Sequence, residues 1–117
     1  MYYNNFWLYE IGERRAGLKT FFDSIFINSS SLYEEPEYPI KLEYYKTIEM
    51  KENVEAKYGI EIVKTEFVEG KVNVESEKLE NISNNQEEID RLLAVLRNNT
   101  VTPFGMQEIL DQVFIQT

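Results

Sequence analysis

Lys57-Tyr58-Gly59-Ile60-Glu61-Ile62-Val63-Lys64-Thr65-Glu66-Phe67-Val68-Glu69-Gly70-Lys71-Val72-Asn73-Val74 decides how the rest of the chain is read. Two β-prone runs flank Glu69-Gly70, the pattern of a hairpin closed by a short glycine-containing turn. The first run puts Tyr58, Ile60 and Ile62 on one face and Glu61, Val63, Thr65 and Phe67 on the other. The second puts Val72 and Val74 opposite Lys71, Asn73 and Glu75, with Glu77, Lys78 and Glu80 making its later part more exposed.

Upstream, Pro39 opens a further strand. Ile40, Leu42, Tyr44, Ile48 and Met50 alternate with Lys41, Glu43, Tyr45, Thr47 and Glu49. This is the period of two expected of a half-buried antiparallel strand, and only Lys46 breaks its apolar face. Lys51 to Ala56 reads as a polar connection. Three antiparallel strands with one largely apolar face are therefore predicted.

Downstream the period changes to that of helices. Ser83-Asn84-Asn85-Gln86 has the capping-box pattern, and Glu87, Glu88 and Asp90 suit the positive end of a helix dipole. Ile89, Leu92, Leu93 and Leu96 form the apolar stripe, and Asn98-Asn99 offers a left-handed stop. Thr102-Pro103 then reads as an N-cap followed by Pro at the first helical position, with Met106, Ile109, Leu110, Val113 and Phe114 as the second stripe. Gly105 falls inside that predicted helix and weakens it by about 1 kcal/mol relative to Ala. The short link makes the pair an αα-hairpin packed on the sheet.

The N-terminal third is aromatic. Residues 2–11 contain Tyr2, Tyr3, Phe6, Trp7, Leu8, Tyr9 and Ile11, a pattern open to a strand or to one face of a short helix. Gly12 to Gly17 reads as a turn. Leu18, Phe21, Phe22, Ile25 and Phe26 fall at i, i+3, i+4, i+7 and i+8, which favours a helix, although the same residues are strand formers. Asn28 to Ser31 ends that element, and Leu32 to Pro39 is an acidic, proline-punctuated linker. The expected organisation is one α+β domain over residues 1–117. Residues 1–38 supply an aromatic segment and linker that pack on the sheet and two helices of residues 39–117.

Tyr58-Gly59-Ile60-Glu61-Ile62, Asn81-Ile82-Ser83, the leucine-rich helix and Asn99-Thr100-Val101-Thr102-Pro103 together resemble a family of small bacterial proteins, mainly clostridial, classed as a domain of unknown function. The resemblance spans about residues 40–114. It implies a bacterial cytosolic setting and no reaction, cofactor or catalytic residue.

Composition narrows the chemistry. The chain has no Cys and no His, which removes thiolate and imidazole from any nucleophile, base or metal site. Net charge is −9, so a phosphate backbone is repelled unless the few bases cluster. Arg14-Arg15-Ala16-Gly17-Leu18-Lys19 is the sole basic cluster, and Gln107, Glu108, Asp111 and Gln112 on the last helix give it no base with which to read DNA. No apolar run reaches the roughly 18–20 residues that span a bilayer, and the N-terminal stretch has no basic region of the secretory kind. The expected location is cytoplasmic. Glu43 and Glu61 share a strand face, but lysines at 41, 46 and 64 are better partners for them than a substrate. No calcium-loop spacing or phosphate loop is present.

No catalytic, cofactor or metal residue is therefore assigned, and an enzyme is not expected. The candidate partner-binding residues are the aromatics Tyr3, Phe6, Trp7, Tyr9, Phe22 and Phe26 and the acidic edge of Glu75, Glu77 and Glu80. Whether those aromatics complete the core or form an interface is open. The leading expectation is a small acidic protein acting by contact with a protein partner or a second copy, without direct nucleic-acid or membrane binding. The alternative is an acidic inhibitor or DNA mimic of the kind mobile genetic elements encode.

Overall fold

The computed structural model describes residues 6–12, 15–27, 38–51 and 54–115. The predicted linker therefore lies largely outside the described residues, as do Tyr2 and Tyr3. Five strands form one antiparallel meander in the order β1-β2-β3-β4-β5: β1 (Phe6–Gly12), β2 (Arg15–Ile27), β3 (Ile40–Lys51), β4 (Val54–Val68) and β5 (Lys71–Ser83). Two helices follow, α1 (Gln86–Asn98) and α2 (Met106–Ile115). The α+β class and the order of sheet then helices are as predicted. Among the described residues the sheet has five strands rather than three.

The largest correction is at residues 18–27, which are strand and not helix. Pairing with β3 shifts register between Phe21 and Asp23, a bulge at Phe22. Phe22, Ile25 and Ile27 all pack against the core, whereas Phe21 stacks edge-on against Tyr45 on the other side of the sheet. Strand alternation places Leu18 on the side of Phe22, and the extra residue shortens the step from Phe22 to Ile25 to three. Leu18, Phe22 and Ile25 thus fall at i, i+4 and i+7, the spacing of a helix. Residues 6–12 resolve to the strand alternative, and Gly17 sits inside β2, paired with Tyr9 and Glu49, rather than in a turn.

The hairpin at the centre of the sequence forms as predicted. Glu69 and Gly70 have φ of 48° and 79°, the positive values at both central positions that define a type I′ turn. β5 runs on past the hairpin to Ser83, with a second irregularity where Asn81 takes φ 57° and pairing skips between Tyr58 and Ile60. Gly59 faces that bulge. A Cβ there would collide with the Leu79 carbonyl oxygen, and would lie 2.7 Å from Thr47 Oγ1 and 2.9 Å from Glu80 Cα.

One side of the sheet carries the core. Leu42, Tyr44, Ile60 and Ile62 meet Ile89, Leu92, Leu93 and Leu96 of α1, with Val101, Met106 and Leu110 closing the end. Each fully buried Leu or Ile contributes about 1.5–3 kcal/mol. Lys46, the apparent flaw in the β3 face, reaches α1 and bonds Asp90 at 3.0 Å. Arg97 of α1 bonds Asp23 of β2 at 2.6 Å.

Both helix boundaries differ from expectation. The N-cap of α1 is Asn85, whose side chain accepts from the Glu88 amide, while Ser83 accepts from the Asn85 amide one step earlier. At the far end the left-handed residue is Thr100, φ 53°, not an asparagine. The Thr100 amide bonds the Arg97 carbonyl and the Val101 amide bonds that of Leu96, a Schellman closure with Val101 folded over Leu96. Thr102 to Gly105 form a turn, so α2 begins at Met106 and Gly105 supplies the first accepting carbonyl, to Ile109. Gly105 is at the cap, where glycine is tolerated, and the penalty predicted for a helix interior does not arise.

Candidate functional site

Among the described residues, both helices lie on the side of Leu42, Tyr44, Ile60 and Ile62, so the other side of the sheet is the surface with most to offer. Its middle is a network of charge and aromatic rings. Lys19 bonds Glu61 at 3.0 Å and stands 4.3 Å from the centre of the Tyr45 ring. The Tyr45 hydroxyl donates to Glu43 at 2.9 Å, and Lys41 lies 3.7 Å from the same carboxylate. Burial first, and then the bond to Glu43, raise the Tyr45 hydroxyl far above the ordinary tyrosine value, so it stays protonated and donates. Glu43 and Glu61 do share this face, each drawn to a lysine. Lys41 is one of the expected partners. Lys19 was not foreseen, because it sits on the strand that was read as a helix, and Lys46 points to the helices instead.

Toward the Glu69-Gly70 turn the surface becomes apolar. Phe26, Phe67, Val72 and Val74 are 60%, 37%, 59% and 61% exposed. The rings of Phe26 and Phe67 stand 6.4 Å apart between centroids. Register joins the rest: Phe67 is opposite Val72, and Thr65 is opposite Val74. Large apolar side chains gathered at solvent on one end of a sheet mark an interaction surface.

The sequence-predicted contact residues divide. Phe26 belongs to this cluster, whereas Phe22 packs into the core. Phe6, Trp7 and Tyr9 are placed as backbone of β1, at the sheet edge farthest from β5, and Tyr3 lies outside the described residues. The acidic edge does not form one row. Glu75 and Glu77 are opposite Lys64 and Ile62 on the helix side of the sheet, and Glu80 lies beyond Leu79 in the bulge. Side-chain period alone does not say which face of β4 Val72 and Val74 share, so Phe67, Val72 and Val74 do not stand out as a cluster in the sequence. A two-residue turn pairs Val68 with Lys71, which puts Val72 across from Phe67 and away from Ile60 and Ile62. Counting from Glu69-Gly70 would have found them.

A shallow polar hollow at the start of α1 is lined by Asn84, Asn85, Gln86, Glu87 and Asp90. Among the described residues no three of His, Cys, Asp or Glu come together as metal ligands, and no helix is long and apolar enough to cross a membrane.

The geometry defines a class: an open antiparallel meander, covered on one side by a helical pair, with an apolar patch at one end of the other side. The chain belongs to a family of unknown function, DUF6514, whose model matches residues 23–116. That match starts within β2, upstream of the resemblance at residue 40, so the strand misread as a helix is partly inside the family unit. Neither a curated protein nor a solved structure matches the chain.

Proposed function

We propose that this protein is a non-enzymatic interaction module whose sheet face opposite the helices docks another protein. The observation that carries the reading is the exposed cluster of Phe26, Phe67, Val72 and Val74. Aromatic rings beside aliphatic side chains make an adaptable apolar contact, and the ion pairs of Lys19, Glu61, Lys41 and Glu43 beside them form a polar rim. A chain without His or Cys, whose paired acids are tied to lysine or arginine, has few groups suited to acid–base or nucleophilic work. The cytoplasm is the proposed setting, in keeping with the absence of cysteine.

An acidic decoy needs carboxylates on one continuous face. Here Glu43, Glu61, Asp90 and Asp23 alternate with Lys41, Lys19, Lys46 and Arg97 as ion pairs. The interaction reading is therefore preferred.

A photo-crosslinking amino acid placed at Phe26 in the full chain, in cells, tests the proposal. Discrete adducts are expected at Phe26, and none from the same probe at the exposed Glu87 beside α1. Phe104, 95% exposed before α2, is the competing apolar anchor. Adducts at Phe104 without any at Phe26 would overturn the assignment of the docking face.

A further inference from the structure

The edge of the sheet names a partner for this surface. Among the described residues β5 (Lys71–Ser83) is paired only with β4, and every residue from Lys71 to Lys78 is exposed. In a two-residue hairpin Val68 and Lys71 form a hydrogen-bonded pair, so Lys71, Asn73, Glu75 and Glu77 direct their backbone groups at β4. Val72, Val74 and Ser76 therefore direct theirs away from the sheet, where they meet no strand among the described residues.

We propose that β5 pairs antiparallel with β5 of a second copy about a two-fold axis through Val74, joining two sheets into one of ten strands with all four helices on one side. The side chains select both the occupant and the register. A strand on such an axis sets each residue opposite its mirror position about the centre. Centring on Glu75 or Glu77 opposes each glutamate to itself, centring on Ser76 opposes Glu75 to Glu77 twice, and centring on Lys78 opposes two lysines. Charges on an edge strand ordinarily forbid pairing, and here they forbid these registers.

Within Lys71 to Lys78, ahead of the bulge that interrupts β5 beyond Leu79, centring on Val74 is the longest alignment without a clash. It sets Lys71 opposite Glu77, Val72 opposite Ser76, Asn73 opposite Glu75, and Val74 opposite its own copy. Like signs never meet, and each Lys71 gains a carboxylate. The pairs 72–76, 74–74 and 76–72 are those with outward backbone groups; at two N–H···O bonds a pair they make six. Centring on Asn73 also avoids a clash but leaves only 72–74 and 74–72, or four bonds. On the sheet face opposite the helices, Val74 meets its copy, so the apolar clusters of the two protomers become continuous.

Since this names a second copy as one partner of the surface proposed above, it rests on that reading, but the two fail separately. Sedimentation equilibrium of the full chain is expected to give a mass that rises with concentration from 13.9 kDa toward twice that value. Lys71→Glu and Glu77→Lys should each weaken the dimer on the order of tenfold, by opposing like charges across the axis. Mixing the two single variants, or combining both changes in one chain, should restore it. Both side chains are exposed, and circular dichroism checks that each variant is folded. A wild-type chain that stays monomeric, or a dimer indifferent to both single changes, would overturn the edge pairing. Adducts at Phe26 in either case would leave the docking face standing.

Discussion

Tyr44 shows how one side chain can hold two layers together. Its ring is fully buried on β3, and its hydroxyl donates to the Val101 carbonyl at 2.9 Å, tying the sheet to the turn between the helices. Burial pushes its pKa from 10.0 to about 12. The folded state thus holds the proton more tightly than the unfolded chain does. Stability from this residue is complete below pH 10 and is lost as pH rises from there through about 12. Urea titrations across that window should show stability falling by up to ~1.4 kcal/mol per pH unit on account of Tyr44. In Tyr44→Phe this part of the fall should vanish, and near neutrality the variant should lose about 1–3 kcal/mol, because the Val101 carbonyl is left buried and unpaired. Thr100 works the other way. A β-branched residue at φ 53° is strained where glycine is at ease. Thr100→Gly keeps the Schellman bonds and should raise stability by about 0.5–1 kcal/mol in the same assay. A fall would mean that the Thr100 side chain makes a compensating contact.

At the scale of elements, the two glycines of the central hairpin do different work. Gly70 needs a backbone conformation, since its φ is 79° and nothing lies within 4 Å of where a Cβ would stand. Gly59 needs empty space, because β5 bulges between Leu79 and Ser83 and brings the Leu79 carbonyl and Glu80 Cα over it. Gly59→Ala should cost about 1–3 kcal/mol in chemical denaturation through forced separation of β4 and β5. Gly70→Ala should cost about 1 kcal/mol and leave the packing intact. The bulge in β2 matters in a different way. By placing Phe22 beside Asp23 it delivers Phe22 and Ile25 to the core and Asp23 to Arg97. It also turns Phe26 out to solvent, next to Phe67. Without the extra residue, Phe26 would fall on the core side and the apolar patch would lose one of its two rings. The Lys46–Asp90 bond follows the same logic, since a lysine on an apolar strand face is explained only by the helix that crosses above it.

For the whole molecule, the deciding fact is that among the described residues both helices lie on one side of a five-stranded sheet. α1 spans β2 to β5 on one side, α2 packs on α1 and enters the core through Met106 and Leu110, and among the described residues the other side of the sheet presents Phe26, Phe67 and the valines of β5 to solvent. The crosslinking and sedimentation experiments proposed above belong to this scale, because they ask what that imbalance is for. The sequence alone determined the alternating strands around Glu69-Gly70, the change of period after Ser83, the α+β class and the narrow chemistry of a chain without Cys or His. These follow from local properties: turn preference, side-chain period and residue type. It did not determine the strand at residues 18–27, the partners of Lys19 and Lys46, or which face Val72 and Val74 occupy. A bulge imitates a helical period, and an ion pair across strands has no signature along the chain. Only the tertiary structure decided them, because side-chain direction in a sheet depends on register, and register is set by pairing between strands far apart in sequence.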